Sequence, residues 1–299
     1  MKPLSVVIPS YNYANFLPAA VASVAAQSYN NIELVIIDDK SADNSPALIK
    51  ELEQQYKDRF SSIVTIFNEH NQGAHAAINK GIAAASGELI AVLNADDLYE
   101  SQRFSTMTQA MNGARFAFSA IACIDAQGAG IDTPESHVFT SLQERIDGRP
   151  FMALAAVAEN VAVSTGNMLF EKSLFNELHG FKNYKYVHDY DFFYRAALIT
   201  EPVFVKDTRY LYRLHGDNTF TKLKKEGLRE NRLLWLDFYA AVKAGRVLNG
   251  AILAHNNYAE LFKNEIAAYG DKKLLLWKIA GTPPAKVGAY LAKRVYGLK

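Results

Sequence analysis

Cysteine is nearly absent from this chain: Cys123 is the only one among 299 residues. That excludes an intramolecular disulfide and a thiolate metal cluster, and it points to the reducing cytoplasm. An excess of one charge is missing too, with 32 basic and 31 acidic side chains and a formal charge of +1. The electrostatic footprint of a nucleic-acid binder is therefore lacking, and no nucleic-acid partner is expected. Long apolar runs are also absent. Leu4 to Ile8 is stopped by Pro9 and is too short for the core of a signal peptide. Phe151–Val163 is broken by Glu159 and Asn160 and falls short of the roughly 18 residues a membrane span needs. Several signature loops are missing as well: GxxxxGK[ST], HExxH, GxSxG and GxGxxG, with Thr133 standing where the third glycine after Gly128-Ala129-Gly130 would fall. Their absence weighs against a P-loop NTPase, a zincin, an α/β-hydrolase and a classical dinucleotide dehydrogenase.

What is present is a foldable composition, 49% hydrophobic and 21% charged, in a length that allows one large or two small domains. Short apolar runs of strand length stand at Leu4–Pro9, Ile32–Asp38, Ile63–Asn68, Leu89–Leu93 and Phe116–Ile121. Helical spacing or composition fills the gaps at Phe16–Gln27, Pro46–Tyr56, Ala74–Ala85 and Ser101–Met111. This alternation predicts βαβ units and an α/β fold with a mostly parallel, Rossmann-like central sheet flanked by helices. The runs are continuous rather than alternating, as expected for strands buried on both faces. Residues 122–160 read as loop-rich, punctuated by Gly128, Gly130, Pro134, Gly148 and Pro150. A strand is predicted at Val161–Phe170, helices at Glu171–Leu178 and Asp189–Ile199, and short strands near Val203–Val205 and Tyr210–Leu214. From about Thr221 the pattern is helical, giving a domain over 1–220 and a helical C-terminal extension over 221–299.

The chemistry-bearing residues are mostly acidic. The second predicted strand ends in Asp38-Asp39 and the fourth runs into Asn94-Ala95-Asp96-Asp97. Carboxyl ends of parallel strands share one sheet edge, where such sheets bind ligands. Adjacent carboxylates repel unless a cation or hydrogen-bond donors compensate them. Hard oxygen ligands suit Mg²⁺ or Mn²⁺ shared with substrate phosphates. The competing reading is helix capping, which Asp43 and Asp97 would equally satisfy. A third acidic group, His188-Asp189-Tyr190-Asp191, opens a predicted helix, where the macrodipole favours an ionised Asp189. Asp191 lies about 200° around that helix from Asp189 and is expected to serve structure. His215, after a short strand, is a candidate metal or phosphate ligand, or a structural histidine.

Together these residues resemble a known family. Val6-Val7-Ile8-Pro9-Ser10-Tyr11-Asn12, Asp38-Asp39-Lys40-Ser41-Ala42-Asp43-Asn44-Ser45 and Asn94-Ala95-Asp96-Asp97 are similar to successive motifs of family 2 glycosyltransferases. Asn71-Gln72-Gly73, Ala77-Ile78-Asn79-Lys80-Gly81 and Ala85-Ser86-Gly87-Glu88 match the link between them. Gly166-Asn167, Gly180-Phe181, His188-Asp189 with Arg195, and Tyr212-Arg213-Leu214-His215 follow in the family's order. The resemblance spans about residues 3–220 and implies the GT-A fold and an inverting glycosyltransferase.

It also implies roles. Pro9, Tyr11 and Asp39 would hold the uridine of a UDP-sugar, and Asp38 and Asn12 would support the ribose edge. Asn71, Asn94 and Lys80, the nearest cation to a position where many relatives carry Arg and this chain has Ile78, complete the donor site. Asp96 would be the main ligand of Mn²⁺ or Mg²⁺, with Asp97 beside it near the donor sugar, and His215 is a second candidate ligand. Asp189 matches the catalytic base. The acceptor would be a glycan or lipid-linked glycan of cell-surface polysaccharide or lipopolysaccharide biosynthesis. The family often has Asp where Asn94 stands and Glu where His188 stands. Those departures keep a catalytically inactive nucleotide-sugar-binding protein open as an alternative. A nucleotidyltransferase is the other, though no glycine-rich nucleotide loop lies near the N-terminus. Residues 271–299 carry seven basic residues and one acidic one among Leu274, Leu275, Leu276, Trp277, Ile279, Tyr290, Leu291 and Tyr296. Such a tail can pack on the domain or attach weakly to the inner face of a membrane.

Overall fold

A computed structural model describes residues 1–144, 146–216 and 224–265. Eight strands form one sheet in the order β3-β2-β1-β4-β7-β6-β8-β5. They are β1 (Leu4–Ser10), β2 (Ile32–Asp38), β3 (Ser62–Phe67), β4 (Leu89–Val92), β5 (Leu98–Tyr99), β6 (Phe116–Ile124), β7 (Met168–Glu171) and β8 (Val203–Arg213). The pairs β1–β2, β2–β3, β1–β4 and β6–β8 are parallel, while β4–β7, β6–β7 and β5–β8 are antiparallel. The first four strands are joined by right-length crossover helices: α1 (Leu17–Ala25), α2 (Ser45–Tyr56) and α3 (Ala74–Ala84). The other helices are α4 (Arg103–Met111), α5 (Pro134–Glu144), α6 (Met152–Ala158), α7 (Lys172–Glu177), α8 (His188–Ala197), α9 (Lys224–Lys243) and α10 (Gly250–Leu253).

The period-2 geometry of the strands splits their apolar side chains between two cores. Val7, Val35, Ile37, Ile90, Val92, Phe116, Phe118 and Phe170 face α3 and α8, together with Leu234 and Phe238 of α9. Leu4, Val6, Ile8, Leu34, Ile36, Ala91 and Leu93 face α1, α2 and α4. Both faces are covered, which is why the central strands read as unbroken apolar runs. The edge strand β3 is the exception. Its residues are only half-buried or exposed, and it pairs on one side alone.

Helix α3 lies unusually close to the sheet. A Cβ on Gly81 would fall 2.3 Å from Ile37 Cδ1 and 2.5 Å from Val7 Cγ1. Gly81→Ala is therefore expected to destabilise the fold by about 1–3 kcal/mol through overpacking. Helix propensity alone favours Ala by about 1 kcal/mol, so the sign of the change in denaturation midpoint reports the packing. A stabilised variant would contradict the close approach.

Four expectations need correction. Residues 122–160 are not wholly loop: α5 forms with Pro134 as its first residue, where a missing N–H costs nothing, and the apolar run after Pro150 makes α6. The strand expected at Val161–Phe170 exists only from Met168. Val163 has φ 68° and Thr165–Asn167 is a 3₁₀ turn, so the chain before it curls. The two short strands near Val203 and Tyr210 are one strand with an irregularity opposite Ser119 and Ala120. The short strand β5 was not expected. Among the described residues no helix is long and apolar enough to cross a membrane. The basic tail 271–299 lies outside the described residues.

Candidate active site

A cleft of about 890 Å³ opens along the carboxyl ends of β1, β2 and β4. That is toward the upper end of the roughly 300–1,000 Å³ typical of ligand pockets. Pro9, Tyr11, Asn12, Asp39, Asn71, Asn94, Asp96, Asp97, His188 and Asp189 all line it. Asp38, Lys80 and His215 do not; His215 stands behind Asp96, whose Oδ2 it meets at 3.0 Å.

At one end the backbone is folded around Asp39. Its Oδ1 accepts from Asn68 Nδ2 at 2.8 Å and Gln72 N at 3.0 Å, and its Oδ2 accepts from Gly73 N at 2.8 Å. Gly73, at φ 85°, turns the chain into α3, a conformation that favours glycine. Three donors leave about one of the carboxylate's four acceptor sites for a ligand. Lys80 Nζ donates to Asn68 Oδ1, so it reaches Asp39 only through Asn68. Asp38 Oδ2 accepts from Ser41 N at 3.0 Å, while its Oδ1 and Ser10 Oγ are buried without a hydrogen-bond partner. Asn12 Oδ1 accepts from Ala42 N at 2.7 Å and its own N–H reaches Ser41 Oγ, which ties the β1 and β2 loops together. Asp43 accepts from Ser45 N and Ala14 N, so it serves the start of α2. Tyr11 stands at the rim, 46% exposed.

At the centre the two neighbouring aspartates differ. Asp97 is 1% exposed. Its Oδ1 accepts from Arg213 N at 2.7 Å and its Oδ2 from the Tyr210 hydroxyl and Asn94 Nδ2. Burial, and then the Asp96 charge, push its carboxyl well above the usual carboxylate range. It is a structural bolt between β4 and β8, not a helix cap. Asp96 Oδ2 instead lies 3.0 Å from His215 Nε2. The His215 ring packs at 5.1 Å on Phe16 and at 6.2 Å on Tyr13. A carboxylate is a hard oxygen donor of the kind Mg²⁺ or Mn²⁺ takes, so Asp96 would hold such an ion, with His215 beside it. Among the described residues no group of three or more His, Cys, Asp or Glu is placed to hold a metal. Any ion here would draw its remaining ligands from substrate phosphates and water.

Asp189 lines the same cleft from the first turn of α8. Its Oδ1 accepts from Tyr190 N at 2.7 Å and its Oδ2 from Asn160 Nδ2 at 3.0 Å. Burial pushes its carboxyl up to about 7. This corrects the expectation of a firmly ionised group, because a helix-end effect of roughly 0.3–1 kcal/mol is smaller than the desolvation it opposes. His188 is driven down to about 4 by burial and packs its ring edge-on to Phe181 at 6.3 Å. Asp191 is fully buried and pairs with Arg195 and Lys182 at 2.6 and 3.3 Å.

Three residues that organise the cleft were not singled out in the sequence. Asn160 holds Asp189, Ser164 accepts from Asn94 Nδ2 at 2.9 Å, and Tyr210 holds Asp97. None stands in a recognisable motif. Asn160 follows an apolar run with no marker of its partner, 29 residues away.

A sequence model described as "Glycosyl transferase family 2" matches residues 5–178. A glycosyltransferase of Nostoc sp. (strain PCC 7120) is 42% identical over 106 residues. That stretch is 36% of this chain and 32% of the relative, so the match covers about a third of each. The crystal structure of residues 1–349 of Staphylococcus aureus TarS with UDP-GlcNAc aligns with TM-score 0.60 at 13% identity, over 89% of this chain and 73% of that one. The mannosyltransferase PcManGT of Pyrobaculum calidifontis, with GDP-Man and Mn²⁺, aligns with TM-score 0.58 at 16% identity, over 97% and 80%. These likenesses give the fold as GT-A. With over half of its length matched, and with strand-end carboxylates in the order the motifs require, the chain belongs to glycosyl transferase family 2.

Proposed function

We propose that the protein is an inverting, divalent-metal-dependent glycosyltransferase that moves a sugar from a UDP-sugar to a hydroxyl of a glycan or lipid-linked glycan, in cell-surface polysaccharide or lipopolysaccharide biosynthesis. Residues 1–220 would form the catalytic domain and 221–299 a helical extension. The observation that carries the reading is one cleft lined by three chemically distinct carboxylates: Asp39 in its cradle, Asp96 with His215 behind it, and Asp189. Solved structures of the same fold hold UDP-GlcNAc and GDP-Man with Mn²⁺, which supports a nucleotide-sugar donor and a divalent ion.

Inverting transfer is a direct displacement at the anomeric carbon. In this cleft Asp39 would accept the uracil N3–H on its remaining acceptor site, with Tyr11 against the base. Asp96 and His215 would hold Mn²⁺ or Mg²⁺, which supplies charge stabilisation for the departing diphosphate. Asp189 would take the acceptor hydroxyl proton on a carboxylate oxygen, a role that typically contributes about 10²–10⁴-fold. The fixed cleft aligns acceptor, anomeric carbon and leaving group.

Thermal denaturation with UDP tests the donor half of this reading. UDP with Mn²⁺, at about 100 times its dissociation constant, is expected to add about 2.7 kcal/mol of stability, and EDTA should remove most of the shift. An equal shift in EDTA contradicts the metal-bridged donor. A panel of UDP-sugars assayed for Mn²⁺-dependent UDP release with a glycan acceptor tests the transfer itself; release of pyrophosphate from a nucleoside triphosphate and a sugar phosphate would favour a nucleotidyltransferase.

A further inference from the structure

The chain leading into α8 is gripped from outside the 5–178 segment by one face of α9. The Glu230 carboxylate accepts three consecutive backbone N–H groups: Lys185 at 3.0 Å, Tyr186 at 2.8 Å and Val187 at 3.3 Å. One turn earlier, Gly227 admits the Tyr186 ring. A Cβ at that glycine would lie 2.8–3.0 Å from three of its carbons. Two turns later, Asp237 Oδ2 lies 3.1 Å from Lys182 Nζ. Residues 227, 230 and 237 share one face of a helix, so three contacts hold the strap 182–187 at three points.

That strap ends two residues before Asp189. Of the three N–H groups, that of Val187 belongs to the N-cap of α8, where the backbone lacks intrahelical partners. Asp189 itself has two hydrogen bonds, to Tyr190 N and Asn160, so the place where the strap delivers α8 sets where its carboxylate meets the cleft. Tyr186, Val187 and Asn231 line the same cleft. We propose that Glu230 is a positioning residue for the transfer reaction, clamping the 185–187 backbone so that Asp189 faces the acceptor. The proposal rests on Asp189 acting as the base. It places part of the site's geometry in a helix beyond the segment that the family motifs occupy.

The full chain serves for the test, as Glu230→Ala and as Glu230→Gln, each alone and combined with Asp189→Asn. Glu230→Gln keeps the size and turns an N–H donor toward the strap, so it addresses the clamp even if the alanine variant folds poorly. Amide hydrogen exchange at 185–187 is expected to speed up at least tenfold in both variants, with exchange in α3 unchanged. With Asp189 intact, kcat is expected to fall about 10- to 100-fold, the scale of a small misplacement of a reacting group, with donor KM unchanged. In the Asp189→Asn background the same substitutions should cost no more than about twofold, since residues that act as a unit are not additive. Unchanged exchange at 185–187 overturns the clamp, and an equal fall in both backgrounds overturns positioning through Asp189. Wild-type turnover in Asp189→Asn alone would sink the base assignment instead, and the exchange rates would still decide whether Glu230 holds the strap.

Discussion

Asp189→Asn is expected to lower sugar transfer by about 10²-fold or more, with UDP–Mn²⁺ binding unchanged. The substitution keeps the shape and the oxygen that accepts from Tyr190 N. Asn160 can answer it by rotating its amide to offer Oδ1, which is buried and unpartnered in the native site. What is lost is the basic oxygen. The carboxyl of Asp189 stands at about 7, so transfer by the native protein should rise with pH through about 7 as the base ionises. That limb should vanish in the variant. Stability carries the opposite sign. An aspartate whose pKa is raised on folding binds its proton more tightly in the native state, so stability falls as pH climbs from the ordinary value of 3.8 through about 7. Asp189→Asn is free of that penalty, and its Tm should exceed the native value at pH 8 and converge with it near pH 4. Native-like turnover in the variant would contradict the base assignment, and a lower Tm at pH 8 would contradict the buried, raised carboxyl.

Asp96→Asn should have an effect at least as large by a different route. If Asp96 and His215 hold the ion, the variant loses its charged ligand, and the EDTA-sensitive part of the UDP thermal shift should disappear. Losing about 4 kcal/mol of charge stabilisation at the leaving diphosphate corresponds to about a 10³-fold fall in transfer. Unfolding is not the expected cause. The Asp96 charge is one reason that the buried Asp97 carboxyl is pushed up, so neutralising it relieves a repulsion within the bolt between β4 and β8. The two variants should therefore separate cleanly: Asp189→Asn keeps metal-dependent UDP binding and loses turnover, whereas Asp96→Asn loses both. A variant at Asp96 that kept its EDTA-sensitive shift would remove that residue from the metal site.

The N-terminal half was legible because its strands are short, apolar on both faces and separated by helices of crossover length. The end of β2 at Asp38 and of β4 just before Asn94 could be read to within a residue or two. Legibility fades after Ile124, where the chain makes long-range rather than local pairs. α5 is hidden between glycines and prolines that look like loop punctuation, and Val161–Phe170 looks like a strand because nothing in a valine announces a left-handed φ. At the cleft, the sequence marks where carboxylates stand on the sheet edge but not how they are surrounded. Asp96 and Asp97 are adjacent and look equivalent; only the arrival of Tyr210 and Arg213, more than a hundred residues on, makes one a buried bolt and leaves the other toward the cleft. The position of Asp189 at a helix start was readable, whereas its desolvation depends on the walls of the cleft around it. Glu230 carries no motif at all.

The strand order has a consequence for how the chain is made. In the finished sheet β4 is bordered by β1 on one side and by β7 on the other. The first border is available as soon as β4 leaves the ribosome, because β1, β2 and β3 precede it. The second is not: about 76 residues separate Val92 from Met168, which at about 5–20 residues per second is about 4–15 s of synthesis. Through that interval the nascent α/β half carries Leu89–Val92 as an apolar strand with one bare edge, the kind of edge that pairs with other chains. The antiparallel strand that later divides the two halves of the sheet is thus also the piece that ends this window of exposure.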